Sequence, residues 1–213
     1  MEEQNNLNGE RQEQGGQAVP FSRRFWLEFK DILAGVAFPA IVMLVFGFTI
    51  IRFAATGDLN IVLLALIGGE IMTIAALVIF GRANGSAAYA KTSFNEQKRA
   101  LGSTEEKVVC KTGEYALWKG VLIGGILCIP FVILQVIELC YHNTVCYFCL
   151  VNIFGWGYFP FSFLGESYQA LNLIMVIMPI ASHTLGYYLG KQKQLKIQRM
   201  VAEKNAGKKG RRK

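Results

Sequence analysis

At 213 residues the chain is long enough for one soluble domain, but 53% of its residues are hydrophobic and only 17% are charged. An ordinary soluble chain carries about 25% charged residues. The apolar residues also fall in long blocks instead of amphipathic stripes, which excludes a soluble enzyme or binding domain. The net charge of +7 comes from 22 Lys and Arg against 15 Asp and Glu, and the placement of those cations carries most of the information.

Residues 1–20 (MEEQNNLNGERQEQGGQAVP) are rich in Gln, Asn, Glu and Gly. Such a stretch cannot bury a core and reads as a disordered polar cytoplasmic tail. It lacks the apolar run of a cleavable signal, so the first span must serve as its own insertion signal. A run of about 18 apolar residues or more is long enough to cross a hydrocarbon layer of about 30 Å as a helix. Four blocks meet that length: 32–54, 59–81, 117–139 and 170–190. Together with the segments between them they form a transmembrane helical domain over 21–190, followed by a basic cytoplasmic tail over 191–213.

The basic residues orient the spans. Arg11, Arg23, Arg24 and Lys30 precede the first block, seven more lie between Arg82 and Lys119, and ten follow the fourth block. The other two connections hold none, and Arg52 alone sits at that side, an asymmetry of 21 to 1. The positive-inside rule then puts both termini in the cytoplasm and two loops outside. The cytoplasmic membrane of the cell is the expected location.

The loop from Arg82 to Glu114 is long enough for structure of its own, and Ser103-Thr-Glu-Glu106 reads as a capping box for a short helix. The sequon Asn84-Gly85-Ser86 lies on the cytoplasmic side and is expected to go unglycosylated. Outside, residues 145–165 (VCYFCLVNIFGWGYFPFSFLG) carry no charge. A fifth span there would place the basic tail outside, and Gly155-Trp156-Gly157 makes a poor helix interior. The chain therefore reads as an all-α integral membrane protein: four transmembrane helices, with an external re-entrant or interfacial hairpin between the third and fourth.

Ionisable groups in hydrocarbon are costly and mark functional candidates. Glu70 lies eleven residues into the second span and His183 thirteen into the fourth. At 1.5 Å per residue the two fall within about 3 Å of the same depth, so a hydrogen bond between them is possible. Arg52 and Glu138 lie near the external ends of their spans, where they can pair or snorkel to water. Small-residue patterns suited to close helix contact run Ala65-x-x-x-Gly69, Gly120-x-x-x-Gly124 and Ser182-x-x-x-Gly186-x-x-x-Gly190. Pro39, Pro130 and Pro179 break three of the spans.

Of five cysteines, Cys140, Cys146 and Cys149 are external, where oxidation is permitted in many compartments. A structural disulfide from Cys140 to Cys146 or Cys149 is the expected use, with free buried thiols as the alternative. Cys146-Tyr-Phe-Cys149 also has redox C-x-x-C spacing, and its place at the start of an apolar arm resembles the membrane disulfide oxidoreductases that couple thiols to a quinone. Those enzymes are four-helix bundles too. They need a second exposed cysteine pair, however, and here only Cys140 remains on that side.

No hydrolase, metalloprotease or phosphate-loop signature is present, and no cofactor or metal cluster is expected. The expected partners are the lipid bilayer, anionic lipid at the basic tail, and a second copy or membrane partner subunit. Nucleic acid is not expected, because no aromatics interleave the tail beyond Tyr188. Three functions fit: a small permease or channel-like transport component, a non-catalytic membrane subunit or adaptor, and a membrane thiol-disulfide oxidoreductase.

Overall fold

The computed structural model describes residues 21–54, 58–103, 105–109, 111–162 and 165–210, and every regular element among them is helical. The polar stretch 1–20 lies outside the described residues. In chain order the elements are α1 (Phe21–Ala54), α2 (Leu59–Ala100), α3 (Glu106–Val109), α4 (Leu117–Tyr141), α5 (Thr144–Ile153), α6 (Gly155–Ser162), a 3-10 segment (Glu166–Val176) and α7 (Ile177–Gly210). Four helices are long and apolar enough to cross a membrane. Large apolar side chains such as Phe38, Leu64, Ile67 and Ile71 point outward along them, the arrangement that lipid rewards and water does not. The chain is a multi-pass membrane protein.

Two helices run well beyond the apolar blocks. α1 is one continuous helix from Phe21, and α2 continues through the charged stretch after Gly81 as far as Ala100. The charges from Arg82 onward end the apolar run but not the helix. Ala83, Ala87, Ala88 and Ala90 favour helix, and no proline intervenes. The segment after Gly81, expected to be a loop, is therefore mostly helix. α2 stops where the Leu101 N–H folds back on Gln97 and Lys98, with Gly102 at φ +76°. The Ser103 hydroxyl accepts from the Glu105 N–H at 3.4 Å, one residue before α3 begins, while the Glu106 side chain of the expected capping box lies outside what is described.

α4 ends with His142 in the left-handed region at φ 48°. Asn143 then caps α5, its side chain accepting from the Val145 and Cys146 N–H groups. α5 and α6 are two short helices joined at Phe154, in the place of the expected hairpin. Gly155–Ser162 is helical despite its two glycines and Pro160. Burial overrides the poor propensity there: Trp156 is fully buried with its ring 5.2 Å from that of Phe131, and Tyr158 is buried beside it. The fourth span then opens as a 3-10 segment of 11 residues, far longer than the usual three or four.

The helices meet through glycines. A Cβ at Gly81 would strike the His183 carbonyl, one at Gly85 the Tyr187 carbonyl, and one at Gly186 the Val78 carbonyl. One at Gly190 would strike Arg82 and the Ser86 amide. α2 and α7 thus touch backbone to backbone. On α4, Gly124 likewise meets the α7 backbone at Ile180, and Gly120 makes room for the Tyr187 side chain. Beyond the seam, Gln194 donates to Ser86 and Gln198 to Ser93, both at 2.7 Å. The two helices so continue side by side past the apolar blocks as a stalk.

This seam predicts an asymmetry between two α2 glycines. Gly85→Ala puts a Cβ into a backbone carbonyl and should cost about 1–3 kcal/mol through overpacking. Gly68 has open space around it, so Gly68→Ala should be neutral or gain about 0.5–1 kcal/mol from helix propensity. Thermal unfolding of the purified variants in detergent measures both.

Candidate functional site

One face of α2 carries a run of polar groups that enters the bundle. Leu66, Glu70, Thr73, Leu77, Gly81, Asn84, Ala88, Lys91 and Asn95 follow one another at three- and four-residue steps, so they share a stripe. Thr73, Leu77 and Asn95 are buried, and Thr73 returns its hydroxyl to the Gly69 carbonyl at 2.8 Å.

Asn84 and His183 tie all four spans together. His183 is fully buried, with Nδ1 3.2 Å from the Gly120 carbonyl and Nε2 3.4 Å from Asn84 Nδ2. A carbonyl only accepts, so Nδ1 carries the hydrogen and Nε2 is left to accept from Asn84. Asn84 Nδ2 also donates to the Gly35 carbonyl at 3.1 Å. Gly35 belongs to α1, Asn84 to α2, Gly120 to α4 and His183 to α7. The bridge thus gives the buried His183 ring a partner at each nitrogen, as a low-dielectric interior demands.

A cleft of about 270 Å³ opens next to this bridge, toward the end of the bundle that holds the basic connections. Asn84, Gly35 and Tyr187 line its inner part, Ile32, Ile123 and Ala88 its walls, and Asp31, Lys91, Gly113 and Lys119 its mouth. Two ion pairs hold α1 across the mouth. Lys91 meets Asp31 at 2.9 Å and Lys119 meets Glu28 at 2.6 Å. Lys119 is nearly buried and also donates to the Glu114 carbonyl at 2.8 Å, while Glu28 accepts from the Gly113 N–H at 3.2 Å. The Arg99 guanidinium bridges both oxygens of Glu114 at 2.5 and 3.3 Å, and Asn95 adds a third bond at 3.1 Å. Burial alone would push the Glu114 carboxyl up, but these bonds together with the charges of Arg99 and Lys111 hold it below the usual carboxylate range.

The expected intramembrane candidates do not meet. Both carboxylate oxygens of Glu70 are buried without a hydrogen-bond partner in the protein, whereas His183 is committed to Asn84 and Gly120. Fourteen residues of α2, about 21 Å, separate Glu70 from Asn84. The long 3-10 segment rises about 2.0 Å per residue instead of about 1.5 Å, which over its 11 residues accounts for only about 5–6 Å of that separation.

At the opposite end Arg52 and Glu138 do not pair. Arg52 is exposed and sits 5.0 Å over the Phe48 ring. Glu138 does not snorkel as expected: it faces inward at 7% exposure, three residues from the fully buried Gln135. Gln135 donates to the Gln169 carbonyl at 3.4 Å. Cys146 is buried and Cys149 half-buried on α5, while Cys140 points outward from the last turn of α4. All three stand unbonded in the structure. Among the described residues no group of three His, Cys, Asp or Glu side chains is placed to hold a metal ion.

Asn84, Lys119, Glu28 and the Gly81-x-x-x-Gly85 step escape a reading by apolar blocks, because they lie just past a block's edge or in a charged flank. The signal that finds them is the stripe itself, since Asn84 falls fourteen residues from Glu70, close to four helical turns. Comparison with known proteins returns no match: no family model, no curated protein and no solved structure resembles the chain.

The lowered Glu114 gives a pH dependence with a definite sign. Its ion pair contributes stability above the ordinary glutamate range, about pH 4.3, and that contribution is lost as pH falls through the depressed native value. Native protein should therefore unfold at a higher temperature than Glu114→Gln at pH 7. The gap should close progressively below about pH 4, as thermal scans of both proteins across that range would record.

Proposed function

We propose that the protein is a small permease for polar solutes, lying in the cytoplasmic membrane with both termini and the mouth of the cleft on the cytoplasmic side. The observation that carries this reading is the cleft itself. Its walls come from all four spans, it opens among charged groups, and it ends on a buried polar bridge. Solute sites in transport proteins sit between helices in this way, with polar groups only where they line a cavity. Beyond the bridge, buried Leu77, Leu127 and Phe131 form an apolar layer. Glu70 and Thr73 follow on the same face of α2, so the polar groups line up along one route with an apolar barrier in it. Pro179 and the switch from 3-10 to α-helix at Ile177 give the fourth span a place to bend. The paired short helices α5 and α6 cover the outer end in this reading, as a re-entrant hairpin buried against α1 and α4.

A second reading, a membrane subunit that holds a cytoplasmic partner, draws on the stalk. α2 and α7 leave Phe94, Leu101, Met200 and Val201 exposed there beside a groove over Gln97 and Ile197. Uptake separates the two. Purified protein in liposomes should accumulate at least one labelled solute from a mixture of amino acids, sugars and small organic acids. Glu70→Gln should fold as well as the parent yet slow that uptake by about tenfold or more, equivalent to about 1.4 kcal/mol on the barrier. Uptake unchanged by Glu70→Gln would remove the carboxylate from the route, and no movement of any solute would leave the subunit reading in front.

A further inference from the structure

We propose that the cleft binds a small zwitterion, an amino-carboxylate such as a short-chain amino acid. This deepens the permease reading and rests on it for the cleft's purpose. The inference starts from charge. The mouth holds two cations and two anions, Lys91 with Asp31 and Lys119 with Glu28, which sum to zero. An ion of either sign entering this low-dielectric cleft would leave one charge uncompensated. A zwitterion brings none in net.

The two pairs differ in a way that assigns their roles. Lys119 is nearly buried and doubly held, by Glu28 and by the Glu114 carbonyl, so it fixes α1 against α4. Lys91 and Asp31 are each about two-fifths exposed, at 38% and 43%, and are held mainly by one another. A half-exposed pair opens readily, because water replaces most of what each partner gives. A ligand carboxylate can then take Lys91 while its ammonium takes Asp31, so that two charge-assisted contacts replace one.

The inner part of the cleft fits the same ligand. The amide nitrogen of Asn84 is committed to Gly35 and His183, which leaves its carbonyl oxygen to accept from an ammonium or an N–H. Ile32, Ile123 and Ala88 supply an apolar wall for a short aliphatic chain. A volume of about 270 Å³ lies at the small end of ligand pockets, which run from about 300 to 1,000 Å³. It admits an amino acid and excludes a nucleotide or an oligosaccharide.

Titration of purified full-length protein in detergent tests this at equilibrium, without transport. The probes are alanine, propionate, ethylamine and the neutral propionamide. Alanine should bind and raise the unfolding temperature, with each of the other three weaker by roughly tenfold or more. Asp31→Asn and Lys91→Gln should each weaken alanine by a similar factor, while Glu105→Gln, which breaks the surface pair with Lys98, should change nothing. Ala88→Leu, which narrows the cleft without touching charge, should also abolish binding, and the ligand-free unfolding temperature of each variant shows that it is folded. Propionate or propionamide binding as tightly as alanine would overturn the proposal, as would alanine failing to bind or Asp31→Asn binding it normally. If alanine binds but no solute crosses liposomes, the permease reading fails and the zwitterion site stands. If another solute crosses but alanine does not bind, only the zwitterion is wrong.

Discussion

Glycine sets how closely α2 and α7 approach, and the rest of the bundle follows from that distance. Lipid tails are as apolar as leucine, so burying hydrophobic surface does little to hold two membrane helices together. Close packing and interhelical hydrogen bonds must do it. Gly81, Gly85, Gly186 and Gly190 each leave room for a backbone carbonyl of the other helix. At that separation His183 meets Asn84, and Asn84 in turn reaches Gly35 on α1. The same contact carries Tyr187 to Gly120 and stacks its ring on Tyr115 at 5.0 Å. A larger residue at the seam would separate all of these partners together.

The polar groups are distributed by what each position can satisfy. Deep in the bundle they are few, and the Asn84–His183 bridge spends its donors on backbone carbonyls. Toward the basic end they become charged and paired: Lys119 with Glu28, Lys91 with Asp31, Arg99 with Glu114. Those pairs knit α1, α2 and α4 to the connection over 111–116 and leave the cleft between them. Its neutrality follows from this pairing, and the proposed ligand follows from the neutrality.

Much of this was legible in the sequence, and the failures have physical causes. Four long apolar blocks announce four spans, because the thickness of a bilayer leaves little choice of element. The same blocks conceal helix ends in polar surroundings. α2 reads as finishing at Gly81 only because Arg82 ends the apolar run; the backbone goes on, since alanines favour helix whatever surrounds them. That early stop hides Gly85 and turns Asn84 into a loop residue bearing an unused sequon. Glu138 misleads in the opposite way: its sequence position near a span's end suggests water, but the fold turns it inward beside Gln135. Depth counting fails for Glu70 and His183 because it takes every span to start level and to keep one helix type; the 3-10 opening of the fourth span supplies only part of the offset that brings His183 to Asn84.

In the proposed permease the cleft opens to the cytoplasm and closes at the Asn84–His183 bridge. Side-specific labelling of a cysteine at Ala88, which lines that cleft, tests it most directly. With the native cysteines replaced by serine, Ala88→Cys in sealed cells should resist an impermeant maleimide from outside and react with it once the cytoplasmic face is exposed. Labelling from outside, or none from either face, would contradict the account.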